Sequence, residues 1–178
     1  PEEPEDEELP FIDVHENDWF YEPVEYVYNN GLMNGVSELF FEPNGTVTRG
    51  MIVTILHRLE GEPGVDYAMS FTDVAEGQWY AEAVRWAASE GIVNGVSDTA
   101  FAPDDPVTRE QFAAILWRYA QYKGYDVSIG ESTNLLSYLD FDEISEYAIP
   151  AMQWAVGDGV MSGRGEGILA PRGTATRA

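Results

Sequence analysis

Arginine follows threonine at three places in an otherwise acidic chain, in the segments "TVTRGMIVTIL", "PVTREQFAAIL" and "TATRA". These arginines are Arg49, Arg109 and Arg177. The 178 residues include 32 acids and nine bases, a formal net charge of −23, so the surface repels nucleic acid and anionic lipid. An anion can therefore bind only where positive charge is concentrated. The three arginines are the first candidates for such chemistry, and neither nucleic-acid binding nor membrane insertion is expected.

The position of each arginine within its segment leaves two explanations open. Thr108 is a typical N-cap residue, so Arg109 takes the first helical position, where the helix dipole disfavours a cation. The arginine either forms an ion pair inside the protein, with Asp13, Asp73 or Asp140 as the partner in each repeat, or grips an external carboxylate or phosphate. If it grips a ligand, replacing Arg109 should weaken binding and leave thermal stability nearly unchanged.

Further candidates stand at matching positions of the chain. Asp13, Asp73 and Asp140 follow aromatic residues and precede a helical pattern, which favours structural hydrogen bonds over ligand contacts. Trp19 and Trp79 lie at the start of a helical pattern; an indole there can stack on a sugar, but core packing is favoured. Trp86 and Trp154, with Tyr26 as their counterpart, are predicted core residues. Turn geometry is favoured as the reason for the loop glycines Gly35, Gly95 and Gly163.

Catalytic and metal-binding patterns are absent from the sequence. There is no cysteine, no nucleophile elbow, no zinc-protease motif and no phosphate loop. The two histidines, His15 and His57, have no counterparts in the other copies of the repeated unit. The acids of "SDTAFAPDDPVTRE" do not fall at calcium-ligand positions. No enzyme activity, metal or cofactor is predicted, and a calcium-dependent assembly module is kept as a weaker alternative.

The candidate residues recur because the chain contains three copies of one unit. Residues such as Asp13 and Asp73 match at a spacing of 60, and a weaker third copy follows. The predicted divisions are an acidic linker over residues 1–10 and repeats over 11–62, 69–128 and 134–178. Each repeat is predicted to be helix, loop, helix, so the fold class is all-α.

Apolar stripes define the predicted helices. Tyr80, Ala83, Val84 and Ala87 share one helical face, and we expect the stripes of all three first helices to meet in a single shared core. The third copy stops after Arg177, without a second helix. Self-association through this incomplete repeat is therefore expected as one way to cover the exposed core.

The combined pattern "FTDVAEGQWYAEAVRWAASEGIVNGVSDTAFAPDDPVTREQFAAIL" resembles the S-layer homology repeat. The first copy departs at "TRG", and the third has Tyr147 in place of the opening tryptophan. The resemblance implies three repeats in one pseudo-threefold helical spindle, which anchors exported proteins to the bacterial cell wall. It also implies grooves between repeats that bind a secondary wall polysaccharide, often one bearing ketal-linked pyruvate, with the motif arginine at the anionic group.

The expected function is thus a non-catalytic, extracellular anchor that tethers an exported or S-layer protein to the cell wall. The alternative is a protein–protein assembly module of the surface layer that binds no glycan. The predicted glycan-binding residues are Arg49, Arg109, Arg177, Asp13, Asp73, Asp140, Trp19, Trp79, Gly35, Gly95 and Gly163.

Overall fold

The computed structural model of the chain describes residues 9–178. The helices of this part are α1 (Tyr21–Asn29), α2 (Arg49–Leu59), α3 (Ala81–Ser89), α4 (Arg109–Tyr122), the short α5 (Ile129–Ser132) and α6 (Ile149–Gly157), with 3-10 turns at Phe141–Glu143 and Glu146–Ala148. Within residues 9–178 there is no sheet, so the fold is helical as predicted. The predicted acidic linker falls mainly outside the described residues, but Leu9 within it is buried beside Phe11 and Val14.

The predicted helix boundaries rest on local signals that the structure contains. Thr108 accepts a hydrogen bond from the backbone N–H of Gln111, and the Gln111 side chain bonds back to Thr108, which completes the capping box. Gly31, Gly91 and Gly159 end the first helices of the three repeats with positive φ angles of 66°, 68° and 78°. These local predictions are confirmed.

Helices pack between repeats. The second helix of one repeat lies against the first helix of the next, so α2 packs on α3 and α4 packs on α6. Trp86 of α3 and Trp154 of α6 are buried in these contacts, as predicted. No helix of the described chain covers α1 in this way, and Tyr26 of α1 is 59% exposed. The prediction of a core position was therefore wrong for Tyr26.

The core consists of three linked clusters, which corrects the prediction of a single one. The largest joins repeats one and two, the second joins α4 to the third repeat, and the third lies under α1. Phe112 and Leu116 touch the first two clusters, and Ile55 touches the first and third. The apolar faces are therefore shared between repeats, as expected for units too short to bury their own.

A cyclic set of hydrogen bonds joins the segments that precede the second helices. Val107 N–H donates to the Val47 carbonyl at 2.9 Å, and Val47 N–H donates to the Ala175 carbonyl at 3.0 Å. Ala175 N–H donates to the Val107 carbonyl at 3.1 Å and closes the circle. The third repeat therefore contacts both others through its "TATR" segment.

A carboxylate joins the far ends of α2 and α4. Glu60 accepts hydrogen bonds from the Tyr119 hydroxyl and, at 2.9 and 3.0 Å, from Lys123 Nζ. The Tyr119 hydroxyl is the main cause that lowers the pKa of Glu60, and Lys123 adds to it. The folded state therefore holds the ionised carboxylate more firmly than the unfolded chain does.

We predict that this contact makes stability depend on pH. Because the folded pKa of Glu60 lies below its ordinary value of 4.5, its contribution is present above that value and is lost as pH falls through the folded pKa. Urea unfolding of wild type and Glu60→Gln should differ at about pH 6, and the difference should shrink at about pH 3.5. The exposed Glu62→Gln is the control. A Glu60→Gln effect that does not change with pH would contradict this interpretation.

Candidate ligand-binding grooves

Each motif arginine reaches into the loop of the next repeat in cyclic order. Its Nε and Nη2 donate to two backbone carbonyls, which lie on either side of the loop. The pairs are Arg49 with Phe101 and Asn94 (2.8 and 3.0 Å), Arg109 with Leu169 and Ser162 (2.9 and 2.6 Å), and Arg177 with Phe41 and Asn34 (2.7 Å each). The forked edge of the guanidinium thus fastens repeat one to two, two to three, and three to one.

The ion-pair explanation for these arginines was wrong. None of the three lies at ion-pair distance from a carboxylate of the described residues. The guanidinium of Arg49 also lies 4.6 Å from the centre of the Phe101 ring, and Arg177 lies 4.5 Å from that of Phe41. Arg109 has no ring beneath it, because Leu169 takes that place. Carbonyl oxygens and aromatic faces therefore stabilise the positive charge of these arginines, in place of the aspartates that were predicted as partners.

The aspartates close the loops within their own repeats, as the structural interpretation expected. Each carboxylate accepts hydrogen bonds from two successive backbone N–H groups: Asp13 from Phe41 and Glu42, Asp73 from Phe101 and Ala102, and Asp140 from Leu169 and Ala170. The second residue of each pair has a positive φ of 51° to 57°, a conformation that side chains rarely adopt. Burial alone would raise the pKa of Asp73, but these backbone donors outweigh it and lower the pKa.

The tryptophans at the start of the first helices point outward, contrary to the favoured core position. Trp19 is 79% exposed and Trp79 is 56% exposed. In the second repeat the next residue, Tyr80, takes the inward position, and its ring meets Trp79 edge to face. Tyr147, which replaces the tryptophan in the third repeat, is also exposed. Three aromatic rings are thus available to a ligand.

The lack of space around two of the loop glycines explains why no larger residue stands there. A Cβ atom at Gly35 would collide with the Ser37 carbonyl and the Phe11 ring, and one at Gly95 would collide with the equivalent Ser97 and Phe71. Gly163 is less confined. Turn geometry, the favoured explanation, is sufficient for the first two, although Gly95 also lines the space beside Arg49.

A groove lies beside each motif arginine. The first groove has a volume of 60 Å³ and is lined by Arg177, the Asn34 loop, α2 and Trp79. The second groove measures 410 Å³ and is lined by Arg49, the loop Asn94–Val96, α4 and Tyr147. The third groove, 520 Å³, contains Arg109, Ser162 and Trp19, is mostly apolar and continues toward Arg177.

Sequence reasoning missed a further arginine in each groove: Arg164 in the third, and an arginine of the second helix in the other two. Arg58 lines the first groove and Arg118 the second, nine residues after the motif arginine of the same repeat. Arg58 donates to the Leu32 carbonyl at 3.1 Å, whereas Arg118 forms no hydrogen bond or ion pair with the described residues. The signal was present, because the two are 60 residues apart in a chain with only nine bases.

A buried glutamate supports the wall of the second groove. Glu110 accepts hydrogen bonds from the Ser145 N–H and hydroxyl, both at 2.8 Å, two residues before Tyr147. The first repeat has Gly50 in place of Glu110, and Gly77 stands two residues before Trp79. Where the first copy reads "TRG" and lacks the glutamate, the following repeat therefore also lacks the serine to which that glutamate would bond.

Comparison with known proteins identifies the family. The profile described as "S-layer homology domain" matches residues 10–50, 70–113 and 137–178. The chain belongs to this family. The three matched segments agree with the three repeats, and the predicted resemblance is confirmed.

Related proteins carry the domain within much longer chains. An amylopullulanase of Thermoanaerobacterium thermosulfurigenes is 33% identical over 94% of this chain and 9% of its own length. A surface-layer 125 kDa protein of Lysinibacillus sphaericus is 30% identical over 88% of this chain and 13% of its own. A cellulosome-anchoring protein of Acetivibrio thermocellus is 24% identical over 78% and 31%. This chain therefore spans less than a third of each relative's length.

Other kinds of site receive no support from the described residues. No group of three or more histidine, cysteine or acidic side chains within residues 9–178 is placed to hold a metal ion. No helix in the same range is both long and apolar enough to cross a membrane.

The contacts of Arg109 change the outcome expected for its replacement. Arg109→Ala removes two hydrogen bonds from a charged donor and should lower the free energy of unfolding by about 1.5–3 kcal/mol. Arg109→Lys keeps the charge but lacks the fork, so it should restore only part of the loss. Urea unfolding of the three proteins measures this. An alanine variant as stable as wild type would show that the cross-repeat contact contributes nothing to stability.

Proposed function

We propose that this domain is a non-catalytic anchor that holds a larger exported protein at the bacterial cell wall. In this proposal the three repeats form a pseudo-threefold spindle, and the grooves between them bind an anionic secondary wall polysaccharide bearing pyruvate ketals. The observation that carries the proposal is the second groove, where Arg49 and Arg118 line one 410 Å³ space on a chain of net charge −23. This volume lies within the usual range for small-molecule sites.

Charge distribution supports an anionic saccharide over other polyanions. The acidic surface repels extended polyanions such as nucleic acid, whereas a groove with two guanidinium groups attracts a single carboxylate at short range. A ketal-linked pyruvate places one carboxylate on an otherwise neutral sugar. Such a group fits a local cationic site surrounded by negative charge.

The predicted binding residues fall into two roles under this proposal. Trp19 and Trp79 present exposed rings on which a sugar face can stack, and Tyr147, which was not among the predicted residues, does the same in the third repeat. The motif arginines and the aspartates set the shape of the groove walls, because their side chains bond to the loops and hold them in place. The loop glycines allow the close turns of these loops. Several weak sites along one repeating polymer would also gain by avidity.

The family relationship supports the anchoring role. Relatives include proteins named for the surface layer and for anchoring a cellulosome, which agrees with the extracellular, wall-associated location expected from the sequence. The amylopullulanase aligns with this chain over only 9% of its length, so its enzyme name describes a much larger protein. The domain itself is proposed to be without catalytic activity.

Protein–protein assembly in the surface layer, without glycan binding, stays the alternative function. Self-association through the third repeat stays a prediction, which sedimentation velocity at increasing protein concentration would test.

We predict that the chain co-sediments with cell-wall sacculi that carry the wall polymer. Retention should disappear when the polymer is extracted, and it should weaken when mild acid hydrolyses the pyruvate ketals, because the carboxylate is then lost. Raised salt should also weaken it, as screening reduces the attraction between exposed charges. Equal retention on extracted sacculi would rule out polymer binding, and concentration-dependent self-association would then favour the assembly function.

A further inference from the structure

We propose that the second groove is the preformed anion site within residues 9–178, and that Arg118, outside the "TR" motif, pairs with the carboxylate of the bound saccharide. This inference rests on the proposed function and deepens it. It assigns the motif arginines mainly to joining the repeats. It also predicts that the three grooves differ strongly in affinity.

The first argument counts hydrogen-bond donors. A guanidinium has five N–H donors, and its forked edge is the one suited to a carboxylate. Arg49 already uses the edge formed by Nε and Nη2 for the Phe101 and Asn94 carbonyls. Arg118 donates none of its five to the described residues, so either edge of its fork is available to a ligand.

The second argument is the cost of holding Arg118 where it lies. The side chain is half-buried, and burial lowers the pKa of Arg118. A charged group that loses water without gaining a partner is destabilised, and an incoming carboxylate removes that penalty. Burial also lowers the pKa of Arg49, and repulsion from Arg118 adds to this effect, whereas Tyr147 and Asp105 act in the opposite direction. Arg118 thus adds an unpaired positive charge to a groove that already contains Arg49, which favours an anion there.

The third argument is the difference between the first and second grooves. Their walls are equivalent, yet their volumes are 60 and 410 Å³. The first groove carries Met51, Thr54 and Trp79, where the second has the equivalents Gln111, Ala114 and Tyr147. In the first groove Arg58 is held by the Leu32 carbonyl and lies 3.9 Å from Glu62. Larger side chains therefore fill the first groove, and Glu62 partly neutralises the charge of Arg58.

The arginines of the third groove all have backbone partners. Arg109 is held by two carbonyls, and Arg164 donates to the Thr174 carbonyl at 3.0 Å. The remaining lining is largely apolar, with Phe112, Leu116 and Met161 among its members. Arg177, which also lines this groove, is likewise held by two carbonyls. Among the arginines that line the three grooves, Arg118 is therefore the one without a hydrogen-bond partner in the described residues.

The wall opposite Arg118 is also fixed in advance. The hydrogen bonds from Ser145 to Glu110 hold the turn that carries Tyr147, so its ring stands at the groove without being buried. A sugar whose carboxylate meets Arg118 can place its ring against Tyr147. The ligand class is therefore a saccharide with a single carboxylate close to the ring.

The test uses two synthetic monosaccharide probes and the whole 178-residue chain. One probe carries a pyruvate 4,6-ketal, and the other carries a 4,6-isopropylidene group of similar shape without the carboxylate. Titration calorimetry should show binding of the first probe and much weaker binding of the second. Arg118→Ala should weaken binding of the acidic probe about ten- to hundredfold, while Arg118→Lys should recover part of that loss.

Two matched controls separate this role from general charge. Arg58→Ala removes the equivalent arginine of the first groove, and Arg85→Ala removes an exposed arginine of α3 that pairs with Glu82. Both should leave binding of the acidic probe within about twofold of wild type, a change of less than about half a kcal/mol. Arg118→Ala should not lower the melting temperature, because Arg118 has no hydrogen-bond partner within the described chain.

Each outcome identifies what has failed. The assignment of the site to the second groove is overturned if Arg118→Ala binds the acidic probe as tightly as wild type does. It is also overturned if Arg58→Ala loses as much affinity for this probe as Arg118→Ala. A lowered melting temperature in Arg118→Ala also overturns it, since Arg118 would then be structural. Retention of wild type on polymer-bearing sacculi alongside either result leaves the anchoring function standing. Failure of wild type to bind either sacculi or probe rejects both proposals.

Discussion

The structure depends on one interaction repeated three times, the bond from a motif arginine to two carbonyls of the following repeat. Arg49 reaches residues 52 and 45 positions further along the chain, and Arg177 reaches back 136 and 143 positions. Local propensity alone cannot specify contacts at such separations. The arginine lies at a helix start that disfavours its charge, and the carbonyls of the next loop supply the compensation. This interaction ties the loops, the helix starts and the groove walls to one another.

The same interaction limits what the motif arginine can do for a ligand. A guanidinium whose forked edge is bonded to the backbone has fewer donors left for a carboxylate, although its charge still contributes to the field. The anchoring function that we propose therefore calls for a cation in addition to the one that fastens the repeats, and Arg118 is our candidate for it in the second groove. In the first groove the backbone and Glu62 engage the equivalent Arg58. Three repeats of one pattern thus produce three different surfaces.

The repeats, the all-helical class, the helix caps and the buried stripe of α3 could be predicted, because each follows from spacing or from chemistry within one helical turn. The partners of the motif arginines could not, since the carbonyls that they meet carry no signature in the side-chain sequence. Trp79 was misplaced because two adjacent aromatics offer no local rule for which one faces inward. Tyr26 was misplaced because its burial requires a helix packed on α1, and the described chain has none there. Arg118 was overlooked because it lies in mid-helix, outside any motif.

Backbone amide hydrogen exchange at Val47, Val107 and Ala175 tests the central claim, that the third repeat closes onto the others. These three N–H groups form the cyclic set of bonds between the repeats. The account predicts that all three exchange slowly and at similar protection, because none can open without separating two repeats. Exchange of the Ala175 amide at the rate of an unstructured peptide, with Val107 still protected, would contradict it. In that case the "TATR" segment would not be held by its neighbours.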